Sequence, residues 1–133
     1  MSFTLDPQLE KDTDPVIDLS LCRVLLAKDK RWPWLILVPM REGLVDVVDL
    51  EGGPRKQLSD EIDRASLTLK ALYGPYKLNV ASLGNMVRQL HVHVIARNQG
   101  DEGWPGPIWG VGEPAFRTPN ETAVTIAKIK DRL

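Results

Sequence analysis

The sequence predicts an α+β fold, with one long helix packed against a largely antiparallel sheet. Three observations carry this expectation. Leu35-Ile36-Leu37-Val38 is apolar at every position; Leu58, Ile62, Ala65, Leu69 and Leu72 recur at spacings of four and three; and Gln89 to Ala96 alternates in character. An unbroken apolar run reads as a strand buried on both faces, although a piece of buried helix shares that signature. The second spacing puts one apolar stripe on a helix, and the alternation gives a strand two different faces.

The remaining elements follow in order. Pro15 to Ala27 is rich in Val, Ile and Leu and reads as two short strands, or as one strand with its approach. Lys28-Asp29-Lys30-Arg31 forms a polar turn before Trp32-Pro33-Trp34, and Pro39 ends the buried strand. Leu44 to Leu50 suggests a short helical turn. Gly52-Gly53-Pro54 then places a proline in the first turn of the long helix, where its missing N–H costs nothing. Lys56, Asp60, Glu61, Asp63, Arg64 and Lys70 fall mostly off the apolar stripe, and Gly74-Pro75 closes the helix. Tyr76 to Ala81 and Gln89 to Ala96 read as strands joined by Ser82 to Arg88. Asn98 to Pro119 reads as irregular, and Asn120 to Leu133 as a final helix capped by Asn120.

A chain of 133 residues fits one domain, residues 1–133, with a core over about 15–97 and a tail over 98–133. Seventeen basic against eighteen acidic residues leave a net charge of −1, too little for a broad field that would hold nucleic acid or an anionic membrane. An anionic ligand must therefore be held locally. Cys22 is the one cysteine and lies in the apolar run Leu21 to Ala27, so it is expected to be a buried, inert thiol. Met1 to Asp14 is acidic and lacks the apolar segment of a secretory signal, and no run approaches a membrane span, so a cytoplasmic protein is expected.

Both histidines fall in Gln89-Leu90-His91-Val92-His93-Val94-Ile95. Alternation sends Leu90, Val92 and Val94 to one face, toward the helix with Leu78 and Val80, and Gln89, His91, His93 and Ile95 to an opposite face left free for polar groups. Same-face neighbours on a strand stand roughly 6.5–7 Å apart, so two imidazoles can serve adjacent atoms of one ligand. A free imidazole has a pKa near 6.5, is mostly neutral at pH 7 and can attack phosphorus or carbonyl carbon. The attacking nitrogen must be bare, which puts the proton on the other nitrogen and requires an acceptor there, a backbone carbonyl or Gln89. A neighbouring imidazole, if protonated, would hold the negative charge that develops. Backbone N–H groups of Ser82 to Arg88 are the nearest anion donors: Gly84 permits close approach and Asn85 adds a side-chain amide. Two other readings fit the same spacing. The histidines are inert polar residues of a surface strand, or they ligate zinc with a recruited carboxylate such as Asp29 or Asp46, there being no third histidine.

Gly84 to Ile95 resembles the signature of the histidine-triad (HIT) family, His-φ-His-φ-His-φ-φ with φ apolar. The resemblance extends over roughly residues 20 to 97: the buried strand ending in Pro39, the Leu58 to Leu72 helix and the strand Tyr76 to Ala81 fall where that family has them. It implies a HIT-like, five-stranded, mostly antiparallel sheet with one long and one short helix, the sheets of two subunits joined in a homodimer. It implies a nucleotide hydrolase or nucleotidyl transferase in which His91 attacks the α-phosphorus, forming a nucleotidyl-histidine that water or another acceptor resolves. His93 matches the last triad position, and Gln89 the first, where it would orient His91. Gly84, Asn85, Met86 and Val87 match the phosphate loop, Asn79 a polar binding position, and Trp104-Pro105-Gly106 the C-terminal Trp-Pro segment near the site. No metal or organic cofactor is implied; the expected partner is a small nucleotide. This sequence departs from the family at Gln89, at Trp34, where many members have another histidine, and near Asp29, where many bind ribose. Those departures raise an alternative, a nucleotide-binding module that has lost turnover.

Overall fold

The computed structural model describes residues 3–133; Met1 and Ser2 of the acidic leader lie outside the described residues. A short helix α1 (Pro7–Asp12), which the sequence reading did not anticipate, is capped by the Asp6 carboxylate accepting from the Gln8 N–H. Strands β1 (Thr13–Asp18), β2 (Cys22–Ala27) and β3 (Trp34–Pro39) follow, then a 3₁₀ turn at Val47–Asp49 and the long helix α2 (Gly52–Tyr73). Strands β4 (Lys77–Ala81) and β5 (Val92–Arg97) and the helix α3 (Pro119–Arg132) complete the fold. The strands form one five-stranded sheet in the order β1-β2-β3-β5-β4, antiparallel throughout, with β3 at its centre. The unbroken apolar run is thus the central strand, and Leu35, Leu37 and Val38 have no exposed surface.

The stripe of α2 covers one face of this sheet. Leu58, Ala65 and Leu69 are fully buried against Val24, Leu26, Leu35, Leu37, Val92 and Val94, and Ile129 of α3 joins them. Each such leucine contributes roughly 1.5–3 kcal/mol by leaving water. Gly74 closes α2 in a left-handed conformation, at φ 52°, before Pro75.

Four expectations need correction. Glu61, placed with the polar residues of α2, is fully buried, because it stands three residues after Leu58 and four before Ala65 and so lies within the stripe. Its carboxylate accepts the Leu21 and Cys22 N–H groups at 3.0 and 2.7 Å and the Gln57 amide at 2.7 Å, which satisfies the charge and ties the β1–β2 turn to the helix. Burial, and then Glu61, push the Cys22 thiol well above its ordinary range, so it is inert. The last strand begins at Val92 rather than Gln89: the Leu90 N–H bonds to Leu44 and the Gln89 carbonyl is taken by a side chain, so neither joins the ladder. Thr118, not Asn120, caps α3, in a reciprocal pair with Glu121.

The fourth concerns the far face of the sheet. It was expected to be uncovered, yet His91 and His93 are only 6% and 5% exposed. Leu9 of α1 packs on Leu25, Ala27, Ile36 and Val38, while Trp32 and Ile108 pack on Ile95, so two smaller apolar clusters clothe that side as well. Between them lies a gap.

Candidate active site

That gap is a hollow of about 810 Å³. Its floor is the β3–β5 register on the far face: Ile36 and Ala81 flank His93 across the ladder, Trp34 stands opposite Ile95, and His91 lies just before β5. One rim is the loop Leu83 to Val87; the opposite rim is α1, through Leu9, Lys11 and Asp12; Trp109 and Phe116 come from the long segment before α3. A second hollow of about 690 Å³, bordered by Met40 to Leu44 and Leu50 to Pro54, contains no imidazole and lies apart from this chemistry.

The two imidazoles are held by different partners. His91 Nδ1 is 2.7 Å from the backbone carbonyl of Gln89. A carbonyl only accepts, so Nδ1 carries a proton, and in the neutral ring Nε2 is bare. His93 Nδ1 instead accepts the Trp34 indole N–H at 3.0 Å. The ring centroids are 5.0 Å apart and set edge to face, and Trp109 packs edge-on against His93 at 5.1 Å. Burial, and then the charge that His91 can carry, lower the His93 pKa to about 4, so this ring is neutral at pH 7. The condition on which a neighbouring imidazole would hold negative charge, that it be protonated, is therefore not met by His93 at pH 7.

Neither Nε2 atom is hydrogen-bonded within the described residues, and no buried side-chain nitrogen or oxygen among those residues lacks a partner. Both Nε2 atoms must therefore reach the solvent of the hollow. This matters because buried polar atoms without partners are costly, so an accessible, unpartnered pair at the base of a largely apolar hollow marks where a ligand is received.

Gly84, Asn85, Met86 and Val87 all line the rim. Gly84 adopts φ 74°, and a Cβ there would stand 3.1 Å from the Val87 carbonyl oxygen, so the turn that brings the loop to the hollow requires glycine. Met86 is 96% exposed, a large apolar side chain with nothing over it. The Gln89 side chain turns away from the imidazoles: its oxygen accepts the Asp6 N–H and its amide donates to the Thr4 carbonyl, both at 2.8 Å. Any orienting of His91 by Gln89 comes from its main chain, while its side chain ties down the segment that leads into α1.

The sequence matches the family profile for the HIT domain over residues 8–100. The chain belongs to the HIT family. Among solved structures it is similar to a histidine triad protein from Sinorhizobium meliloti 1021, at 45% identity and TM-score 0.95 over 98% of this chain and 97% of that one. A histidine triad protein from Bradyrhizobium japonicum matches at 42% identity and TM-score 0.96, covering 99% and 98% of the two chains. One from Marinobacter aquaeolei VT8 matches at 41% identity and TM-score 0.96, covering 100% and 97%. No curated protein matches the sequence.

Two residues singled out in this HIT chain stand outside the hollow. Asn79 is on the same sheet face, opposite Ile95, but its side-chain Oδ1 accepts from Arg97 at 3.2 Å. Trp104 stacks edge-on with Tyr76 and lies 5.5 Å from the Arg97 guanidinium. Arg97, itself buried and paired with Asp101 at 2.8 Å, organises both of them into a separate cluster. Asp29 does line the hollow, but its carboxylate receives Arg31 and the Arg31 and Ala115 N–H groups. Burial alone would raise its pKa; those donors outweigh burial and hold it below the ordinary carboxylate value. The zinc reading gains nothing: no group of three His, Cys, Asp or Glu suited to one ion occurs among the described residues. Sequence reasoning missed Trp109 and α1, since both reach the hollow by folding back across the sheet and neither carries a spacing that reveals it.

Proposed function

We propose that this HIT protein is a nucleotide hydrolase or nucleotidyl transferase acting at the α-phosphate. The observation that carries the reading is the bare Nε2 of His91, supplied by the bond from its Nδ1 to the Gln89 carbonyl and directed to the hollow. In the first step that lone pair forms an N–P bond while the bond from phosphorus to the leaving group breaks. The leaving group departs with the electron pair and takes a proton from the solvent of the hollow. Water or another acceptor then attacks the same phosphorus and releases its proton to solvent, the N–P bond breaks, and His91 regains its lone pair. His93 and the Gly84 to Val87 loop support the phosphoryl oxygens, and Asn85 adds a side-chain donor. Gln89 stands at the first triad position and orients His91 through its carbonyl. Trp109, rather than Trp104, walls the hollow. Asn79 supports the site through Arg97. No metal or organic cofactor enters these steps.

We read the active form as a homodimer. Strand β4 is the free edge of the sheet on the side of β5, and Val80 on it, with Tyr76 beside it and Leu67 on α2, are exposed apolar residues. Joining two such edges would make one continuous sheet; light scattering of the eluted protein tests it. A cytoplasmic location, a single domain over 1–133 and a small nucleotide partner complete the proposal.

The deciding experiment is incubation with an adenosine phosphoramidate or a dinucleoside polyphosphate, followed by intact mass measurement. An adenylyl adduct that disappears in His91→Ala supports catalysis. Binding without adduct or product supports a module that has lost turnover, a reading favoured by the commitment of the Gln89 side chain to Asp6 and Thr4.

A further inference from the structure

The two imidazoles are chemically identical in isolation, yet the fold gives their Nδ1 atoms opposite partners. Trp34 opens β3 and pairs with Ile95, so its side chain shares the far face with Ile95 and with His93, two residues before it on β5. The indole is fixed on both sides: Trp32 meets it edge-on at 6.4 Å, and its own N–H reaches His93 at 3.0 Å. An indole N–H donates and never accepts. The His93 nitrogen facing it must therefore be the bare one, and the single proton of the neutral ring is left on Nε2, the atom that reaches the hollow.

We propose that Trp34 is a positioning residue that locks His93 in the Nε2–H tautomer, making it a neutral hydrogen-bond donor to a ligand oxygen beside the bare Nε2 of His91. The assignment follows from the bonding partners. A second proton on His93 would have to sit on Nδ1, where it meets the indole N–H head-on. Trp34 thus opposes protonation as well as choosing the tautomer, and burial acts in the same direction. The charged and titratable groups around the ring are His91 beside it, Lys11 and Asp12 on α1, and Lys28 and Asp29 after β2. His91 is the one among them in ring contact. The division of labour in the site, acceptor at His91 and donor at His93, then depends on a carbonyl under one ring and an indole under the other. For turnover this rests on the function proposed above; the tautomer itself does not.

The test is ¹⁵N-imidazole NMR of the intact protein, following both rings as pH falls. In the wild type, His93 is expected as the Nε2–H form and to stay neutral through about pH 5, while His91 shows Nδ1–H. Trp34→Phe keeps an aromatic ring without the donor; His93 should then populate both tautomers, and its titration midpoint should move up toward the ordinary value of about 6.5. Trp34→His restores an N–H donor at that place and should return His93 toward the Nε2–H form, which guards against a Phe variant that packs poorly. An Nδ1–H tautomer of His93 in the wild type would overturn the proposal, as would a tautomer and midpoint unchanged in folded Trp34→Phe. If the tautomers behave as stated but no nucleotidyl adduct forms, the proposed function fails and this assignment stands. An adduct with the wrong tautomer sinks the assignment alone.

Discussion

Val92, Val94 and Ala96 on one face of β5 meet the stripe of α2, while His93 and Ile95 on the other meet Trp34, Trp109, Trp32 and Ile108. Exposure does not separate the two faces, since every residue of β5 is buried. Polar satisfaction does. On the helix side the buried carboxylate of Glu61 has its oxygens taken by the Leu21, Cys22 and Gln57 N–H groups. On the other side each imidazole has one nitrogen bonded within the protein and one left to the hollow. A saturated buried group holds a fold together; a half-saturated one at the base of a hollow is available for chemistry.

Substitutions on the two faces should accordingly fail in different measurements. The largest effect is expected from His91→Ala, which should lower turnover of an adenosine phosphoramidate by about 10⁴-fold or more, the scale of losing a nucleophile. Its melting temperature should stay near that of the wild type, so a comparable loss of stability would erase the contrast. Leu69→Ala, under the opposite face, should cost about 2–5 kcal/mol in denaturant unfolding through the cavity it leaves, with adduct formation intact in the folded protein.

His93 gives the third contrast, in pH. Its folded pKa, about 4, lies below the value of about 6.5 expected when unfolded, so the unfolded chain binds the proton more readily. Its contribution is present in full above about pH 6.5 and is lost as pH falls from there through about 4, to the extent of roughly 3 kcal/mol. Unfolding curves over that range should show this slope, and His93→Gln should flatten it. Gln89→Ala should have the smallest effect, about 1–2 kcal/mol for the two bonds to Thr4 and Asp6. Faster hydrogen exchange confined to the backbone before and within α1 would show that the side chain clamps that rim; an adduct yield cut as deeply as in His91→Ala would instead place the amide in the chemistry.

Much of the fold was legible because it rests on local periodicity. The unbroken apolar run became the central strand, the 4-3-4-3 spacing became the covering helix, and Gly74-Pro75 ended it. The same logic misplaced Glu61, since residue type was weighed above position in the stripe. It also extended β5 back to Gln89, because alternation persists through residues whose backbone has left the ladder. The candidate site was legible in part: His91, His93 and the Gly84 to Val87 loop are contiguous in the chain and stay together in space. Trp109 and Leu9 are not contiguous with them, and Asn79 and Trp104 were drawn off by Arg97, a residue whose burial no pattern in its neighbourhood announces.

By itself the sequence determined which segments become strand or helix and that two imidazoles share one side of a strand, because these follow from the 3.6 and 2.0 residue periods of the backbone. Only the tertiary structure decided that this side is roofed yet hollow, and that one ring rests on a carbonyl while the other meets an indole. Those partners come from β3 and from the main chain just ahead of β5. Which proton sits on which nitrogen is a matter of distances of about 3 Å between atoms, and no spacing along the chain encodes such a distance.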